Sequence, residues 1–107
     1  MCHCLACQQR TGSAFGIQAR FPRGRVRTEG RATRFERVGD SGGRISLQFC
    51  PTCGSTVFYE IDTMPDVIAV PVGGFADPGF PAPKVAVYEA RRHSWALMPG
   101  LEVEHHD

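Results

Sequence analysis

The fold turns on Arg44-Ile45-Ser46-Leu47-Gln48-Phe49-Cys50-Pro51-Thr52-Cys53-Gly54-Ser55-Thr56-Val57-Phe58-Tyr59-Glu60-Ile61. Residues 44–49 place Ile45, Leu47 and Phe49 on one side, and residues 55–61 place Val57, Tyr59 and Ile61 against Phe58 and Glu60. Both stretches carry the two-residue period of a half-buried strand. Between them lies a C-x-x-C knuckle whose Pro51 and Gly54 let the backbone turn tightly enough for both sulfurs to face one ion. Strand, knuckle, strand is the architecture of a zinc hairpin.

Outward from this hairpin the chain keeps the same character. Residues 33–38 form a strand closed by Gly39-Asp40-Ser41-Gly42-Gly43, a strong turn signal leading into residues 44–49. Residues 14–22 alternate, with Phe15, Ile17, Ala19 and Phe21 on one side, and end at Pro22; residues 26–28 form a shorter strand before Gly30. Downstream, Val67-Ile68-Ala69-Val70-Pro71-Val72 is β-branched and too short for an average helix, so residues 66–72 are a buried strand that Pro71 confines near an edge or a bulge. Residues 77–83, with three prolines, are a loop, and residues 84–89 return to alternation through Val85 and Val87. One short turn of helix is expected over residues 8–13. Seven short strands and almost no helix make an all-β domain.

A chain of 107 residues is one domain, small enough that a metal helps hold it together. Its formal net charge of +1 is spread along the chain and points to neither nucleic acid nor an anionic membrane. The basic run Arg20, Arg23, Arg25 and Arg27 reads as a solvated edge and turn. No apolar run approaches the roughly 20 residues that span a bilayer. Five cysteines and an opening without signal-peptide character lead to the expectation of a cytoplasmic, reduced protein, where clustered thiols bind metal or catalyse rather than form disulfides.

Three of those thiols, Cys2, Cys4 and Cys7, fall within six residues, beside His3. Thiolates suit Zn²⁺ because the ion is borderline-soft and accepts tetrahedral sulfur without strain. The five thiols divide in two ways. Cys4 and Cys7 with Cys50 and Cys53 would close a structural ribbon and leave Cys2 spare; Cys2, Cys4 and Cys7 together would make an open site able to do chemistry, with Cys50 and Cys53 as half of a separate closed site. In the tail, Trp95 reads as a core or interface residue, His93 as a surface histidine with some claim to function, and His105-His106 as a frayed polar terminus.

Cys2-His3-Cys4 with Cys7-Gln8, the small residues Gly12-Ser13-Ala14 before Phe15, the Phe49-Cys50-Pro51-Thr52-Cys53-Gly54 knuckle and Trp95 together resemble the glutathione-dependent formaldehyde-activating enzyme family, whose domain is shared with centromere protein V. The resemblance implies a β-tent fold of short antiparallel sheets pinned by zinc. It implies carbon–sulfur lyase chemistry: formaldehyde and glutathione joined to S-hydroxymethylglutathione, and the reverse. Cys2, Cys4 and Cys7 match the motif that holds the zinc proposed to be active, and Cys50 and Cys53 match half of a structural zinc site. Family members carry the other half on an upstream C-x-C hairpin, whereas here the sequence begins at the cluster, either as an internal start or as a natural short form. His3 is the residue placed to orient an acid or base. The competing reading is a non-catalytic, zinc-stabilised binding module. A homodimer is expected, formed through the sheet edge that the absent hairpin would leave near the start of the chain.

Overall fold

In the computed structural model, which describes residues 1–107, the alternating stretches on either side of the knuckle do pair, within a unit spanning Gln18–Ala76. Its strands are β1 (Gln18–Pro22), β2 (Thr33–Val38), β3 (Arg44–Phe49), β4 (Thr56–Ile61) and β5 (Val67–Pro71). They form one antiparallel sheet in the order β1-β5-β4-β3-β2. Period-two alternation puts Leu47, Tyr59 and Ala69 on one face, where they are buried with Ile45 and Ile61 packed around them. The reverse face carries Ile68 opposite Phe21, whose ring meets Phe75 edge-on at 6.2 Å. Arg23 ties the β1 end to this sheet: its Nε donates to Pro65 O at 2.7 Å and its guanidinium pairs with Glu60 at 3.1 Å.

The second unit combines Met1–Ile17 with Asp77–Asp107. It holds α1 (Leu5–Thr11), β6 (Val85–Ala86) and β7 (Glu104–His105). β6 and β7 are parallel, joined by Glu104 N–H to Lys84 O at 2.8 Å and His106 N–H to Ala86 O at 2.9 Å. On the other side of this pair the first residues of the chain run alongside, with His3 N–H on Val87 O and Val87 N–H on Met1 O, both at 3.0 Å. Gly12 closes α1 in the left-handed conformation, its N–H on Gln8 O, a conformation glycine adopts without strain.

The chain is therefore mostly β with an antiparallel sheet and few helices, as read from its alternation. No helix is long and apolar enough to cross a membrane. Several local expectations are corrected. Residues 26–28 form no strand, because a 3-10 turn at Arg23–Arg25 takes the place of a hairpin connection. β5 lies inside the sheet between β1 and β4; Pro71 is tolerated there because it is the last paired residue of the strand. Val57 is 48% exposed, since the β3–β4 register shifts at Gln48/Phe49 and takes it off the Tyr59 face. The tail is no frayed terminus, because β7 is hydrogen-bonded to β6.

Leu47 is 5% exposed at the centre of the Gln18–Ala76 core. Leu47→Ala is expected to cost about 3 kcal/mol, through lost burial and the cavity left behind. Val57→Ala should cost less than about 1 kcal/mol. Guanidinium denaturation midpoints of the two variants check the difference.

Candidate metal centre

Cys2, Cys4 and Cys7 are brought together by local geometry that the sequence encodes in three ways. Cys2 is held by main-chain bonds to Gly16, N–H to O at 2.8 Å and the reverse at 2.9 Å, and it bridges Val87 on its other side. Cys4 has extended backbone and caps α1: its Sγ accepts the Cys7 N–H at 3.3 Å. Cys7 then lies in the first turn of α1, facing back towards the cap. All three sulfurs lie within 4.8 Å of one another, and the residues are 5%, 7% and 6% exposed. Ala6, Val87 and Tyr88 pack around them.

The cluster can hold a metal ion, and its donor chemistry fits a thiophilic one. A hydrogen bond from the Cys2 thiol, together with Cys4 and the Arg10 guanidinium, lowers the Cys7 thiol to about 5 against the opposing effect of burial. Cys2 moves the other way, raised by its hydrogen bond to Cys7 and by burial. The Arg10 guanidinium favours the ionised form of Cys7. Gly16 packs closely against the cluster: a Cβ there would stand 3.0 Å from Arg10 Nη2 and 3.3 Å from Cys7 Cβ, so these neighbours would have to give by a few tenths of an ångström.

His3 is 1% exposed and stacks edge-on against Phe15 at 5.6 Å. Its Nδ1 is buried with no hydrogen-bond partner, and burial lowers its pKa, with Glu89 acting against that shift. The ring borders a cavity of about 60 Å³ also lined by Glu89, Arg92, Met98, Leu101 and His105. Glu89 is engaged there by His105 Nδ1 at 2.8 Å. Gln8 braces the start of α1 from three directions: Nε2 donates to His3 O and to Arg91 O, at 2.9 and 3.0 Å, and Oε1 meets His93 Nε2 at 2.8 Å.

The remaining thiols are Cys50 and Cys53. They sit on the β3–β4 turn of the Gln18–Ala76 unit, Cys50 half-buried and Cys53 exposed. The knuckle closes through Gly54 N–H to Cys50 O and Cys50 N–H to Ser55 O, both at 2.8 Å. Cys53 Sγ lies 3.3 Å from Ser55 Oγ, and that contact lowers the thiol. Trp95 is 70% exposed with its ring 5.0 Å from that of His93, so it is no core residue. Arg10 and Gly16 are the residues beside the thiols that sequence reasoning missed. Arg10 had a signal, three residues past Cys7 on a helix and so on the same face; Gly16 had none, since its partner Cys2 is found only through a long-range bridge.

Fold and site together define a small β protein that carries a buried trio of thiols suited to a metal. The chain belongs to the glutathione-dependent formaldehyde-activating enzyme family, whose family description matches residues 1–91. Trp95 lies beyond the matched residues. No curated protein matches the chain.

Gly16→Ala tests the cradle. The added methyl must displace Arg10 or Cys7, at a cost of about 1–3 kcal/mol, and metal affinity is expected to drop at least tenfold while the β signal in circular dichroism persists. Competition with a chromogenic chelator measures the drop.

Proposed function

We propose that the chain is a zinc-dependent carbon–sulfur lyase acting on the glutathione adduct of a small aldehyde, S-hydroxymethylglutathione in the first instance. The observation that carries this reading is the buried trio Cys2, Cys4 and Cys7 within a chain of this family. Those three residues would hold the ion and leave a position open. Zinc bound there would supply Lewis-acid chemistry, favouring the thiolate form of a thiol and polarising an aldehyde oxygen.

The remaining work falls to the chain's own groups. Arg10 offsets the negative charge gathered on Cys7. In this reading His3, whose Nδ1 has no hydrogen-bond partner within the chain, takes the glutathione thiol proton and returns it. In the forward direction the sulfur forms its bond to the aldehyde carbon, the carbonyl π pair moves to oxygen, and the oxygen takes up that proton; the reverse breaks the same C–S bond. A cavity of about 60 Å³ beside His3 has room for an aldehyde but not for the tripeptide, given that one water takes roughly 10–15 Å³ of such space. In the same reading the chain works as a single zinc-binding domain of the β-tent type, Cys50 and Cys53 contribute to a second, structural zinc site, and the thiols stay reduced in the cytoplasm.

One observation favours a second reading. All three clustered thiols are at most 7% exposed, which suits an ion that only stabilises a binding module.

Proton and carbon NMR of ¹³C-formaldehyde with glutathione separates the two. The enzyme is expected to speed exchange between free aldehyde and adduct at least tenfold over the spontaneous rate, and Cys4→Ser should abolish both the acceleration and zinc binding at this cluster. Exchange at the spontaneous rate with zinc fully loaded would overturn the lyase reading. Cys2→Ser with native mass spectrometry tests the division of thiols: one zinc fewer is expected, and retained zinc would move Cys2 outside the site.

A further inference from the structure

We propose that β2 is a self-association edge, through which two copies of the chain pair antiparallel and make one continuous sheet. β2 ends the order β1-β5-β4-β3-β2, so one side of its backbone has no strand beside it. The side that faces outward follows from the hairpin. Gly39 N–H donates to Gly43 O at 2.7 Å, and with the β2–β3 register this turns the amides of Thr33, Phe35 and Arg37 towards β3. Those of Arg34, Glu36 and Val38 are left for another strand. β2 contains no proline or bulge, two of the devices that spoil an edge for pairing, while its charged residues Arg34, Glu36 and Arg37 oppose any register that sets like charges together.

Its side chains select the partner. Phe35 sits opposite Leu47 at the end of the buried row Leu47, Tyr59, Ala69, yet it is 56% exposed. In a two-fold antiparallel pair, facing residues must point to the same side of the sheet, so each register centres on one residue meeting its own copy. Centred on Arg34 or on Arg37, the pair sets arginine against arginine; centred on Glu36, carboxylate against carboxylate. Centred on Phe35, the two phenyl rings face each other and extend the buried row, while each Arg34 faces the Glu36 of the other copy. That register also makes Arg34 and Glu36 the hydrogen-bonded pair, using the outward amides. Arg34 already pairs with Glu36 of its own strand and donates from Nε to Ser46 Oγ at 2.7 Å, so both groups are arrayed on the face where the other copy would present them. The partner this edge fits is a second copy of the chain. The inference is independent of the lyase reading, because no thiol takes part.

Two charge reversals test it. The full chain is followed by sedimentation velocity over a concentration series, as wild type, as Arg34→Glu and as Glu36→Arg. Wild type is expected to form a dimer. Each variant alone sets like charges opposite each other, two carboxylates in the first and two guanidinium groups in the second, and should shift the dissociation constant upward at least tenfold. In an equimolar mixture the two acidic side chains of one variant face the two arginines of the other. The mixture is therefore expected to restore the dimer as a heterodimer, which also shows that both variants are folded. A wild-type monomer throughout, dimers in the single variants as strong as wild type, or a mixture that stays monomeric would each overturn the proposal.

Discussion

The structure of the metal centre depends on one constraint: Cys2 is clamped by backbone hydrogen bonds between Gly16 and the strand segment at Val87. Three thiols within six residues have no intrinsic reason to converge, since an extended run would point Cys2 and Cys4 to the same side and carry Cys7 away. Convergence follows because the chain is extended up to Cys4 and helical immediately after it, so that the Cys4 thiol caps the very turn that brings Cys7 back. The clamp fixes the first half of this arrangement and the cap fixes the second. Gly16 serves both, as bridge partner to Cys2 and as the gap in which Cys7 and Arg10 fit.

Much of this was legible in the residues. β3, β4 and β5 were visible because each buries one or both faces and therefore carries a periodic or continuous apolar signal, and β2, largely exposed, was visible through the Gly39–Gly43 turn that closes it; their limits agree with the reading to within one or two residues. The three-thiol cluster was visible because Cys2, Cys4 and Cys7 are near neighbours in sequence, although their convergence needs the turn from extended chain into α1. What failed to show was structure made by backbone pairing over very short stretches. β7 has two residues, both exposed, and two residues have no period. Its anchoring contact, His105 on Glu89, joins positions too far apart in sequence to suggest each other. Residues 26–28 failed in the opposite sense, with a strand-like composition that a 3-10 turn just upstream overrides. The helix was expected over residues 8–13, later than it starts, because cysteine is an uncommon cap; it ends at Thr11 with Gly12 as its cap.

Tyr88 shows how backbone cost gathers near the cluster. Its φ of 57° is left-handed, a conformation costing a non-glycine residue of order 1–3 kcal/mol, and it follows Val87 directly. The kink turns the chain out of its pairing with His3 into the 3-10 turn Glu89–Arg91, which carries Glu89 and Arg92 to the cavity beside His3. A glycine would adopt this bend freely, but it would give up the side chain that packs against Cys2, Cys4 and Cys7. The strained backbone is retained where the packing over the thiols requires a ring.

The order of these segments along the chain matters during synthesis. Residues 2–7 leave the ribosome before Val87 and well before the 104–106 segment that supports it, so the three sulfurs emerge without the strand that clamps Cys2. Until the last segment arrives they are accessible thiols, open to oxidation or to capture by whichever soft metal is at hand. The bridge to Gly16 closes a loop of only about a dozen residues, so its closure entropy is small before the rest of the chain emerges. Metal captured at that stage would tie Cys2, Cys4 and Cys7 together ahead of the β strands that finally bury them, making the ion a nucleus for folding as well as its product.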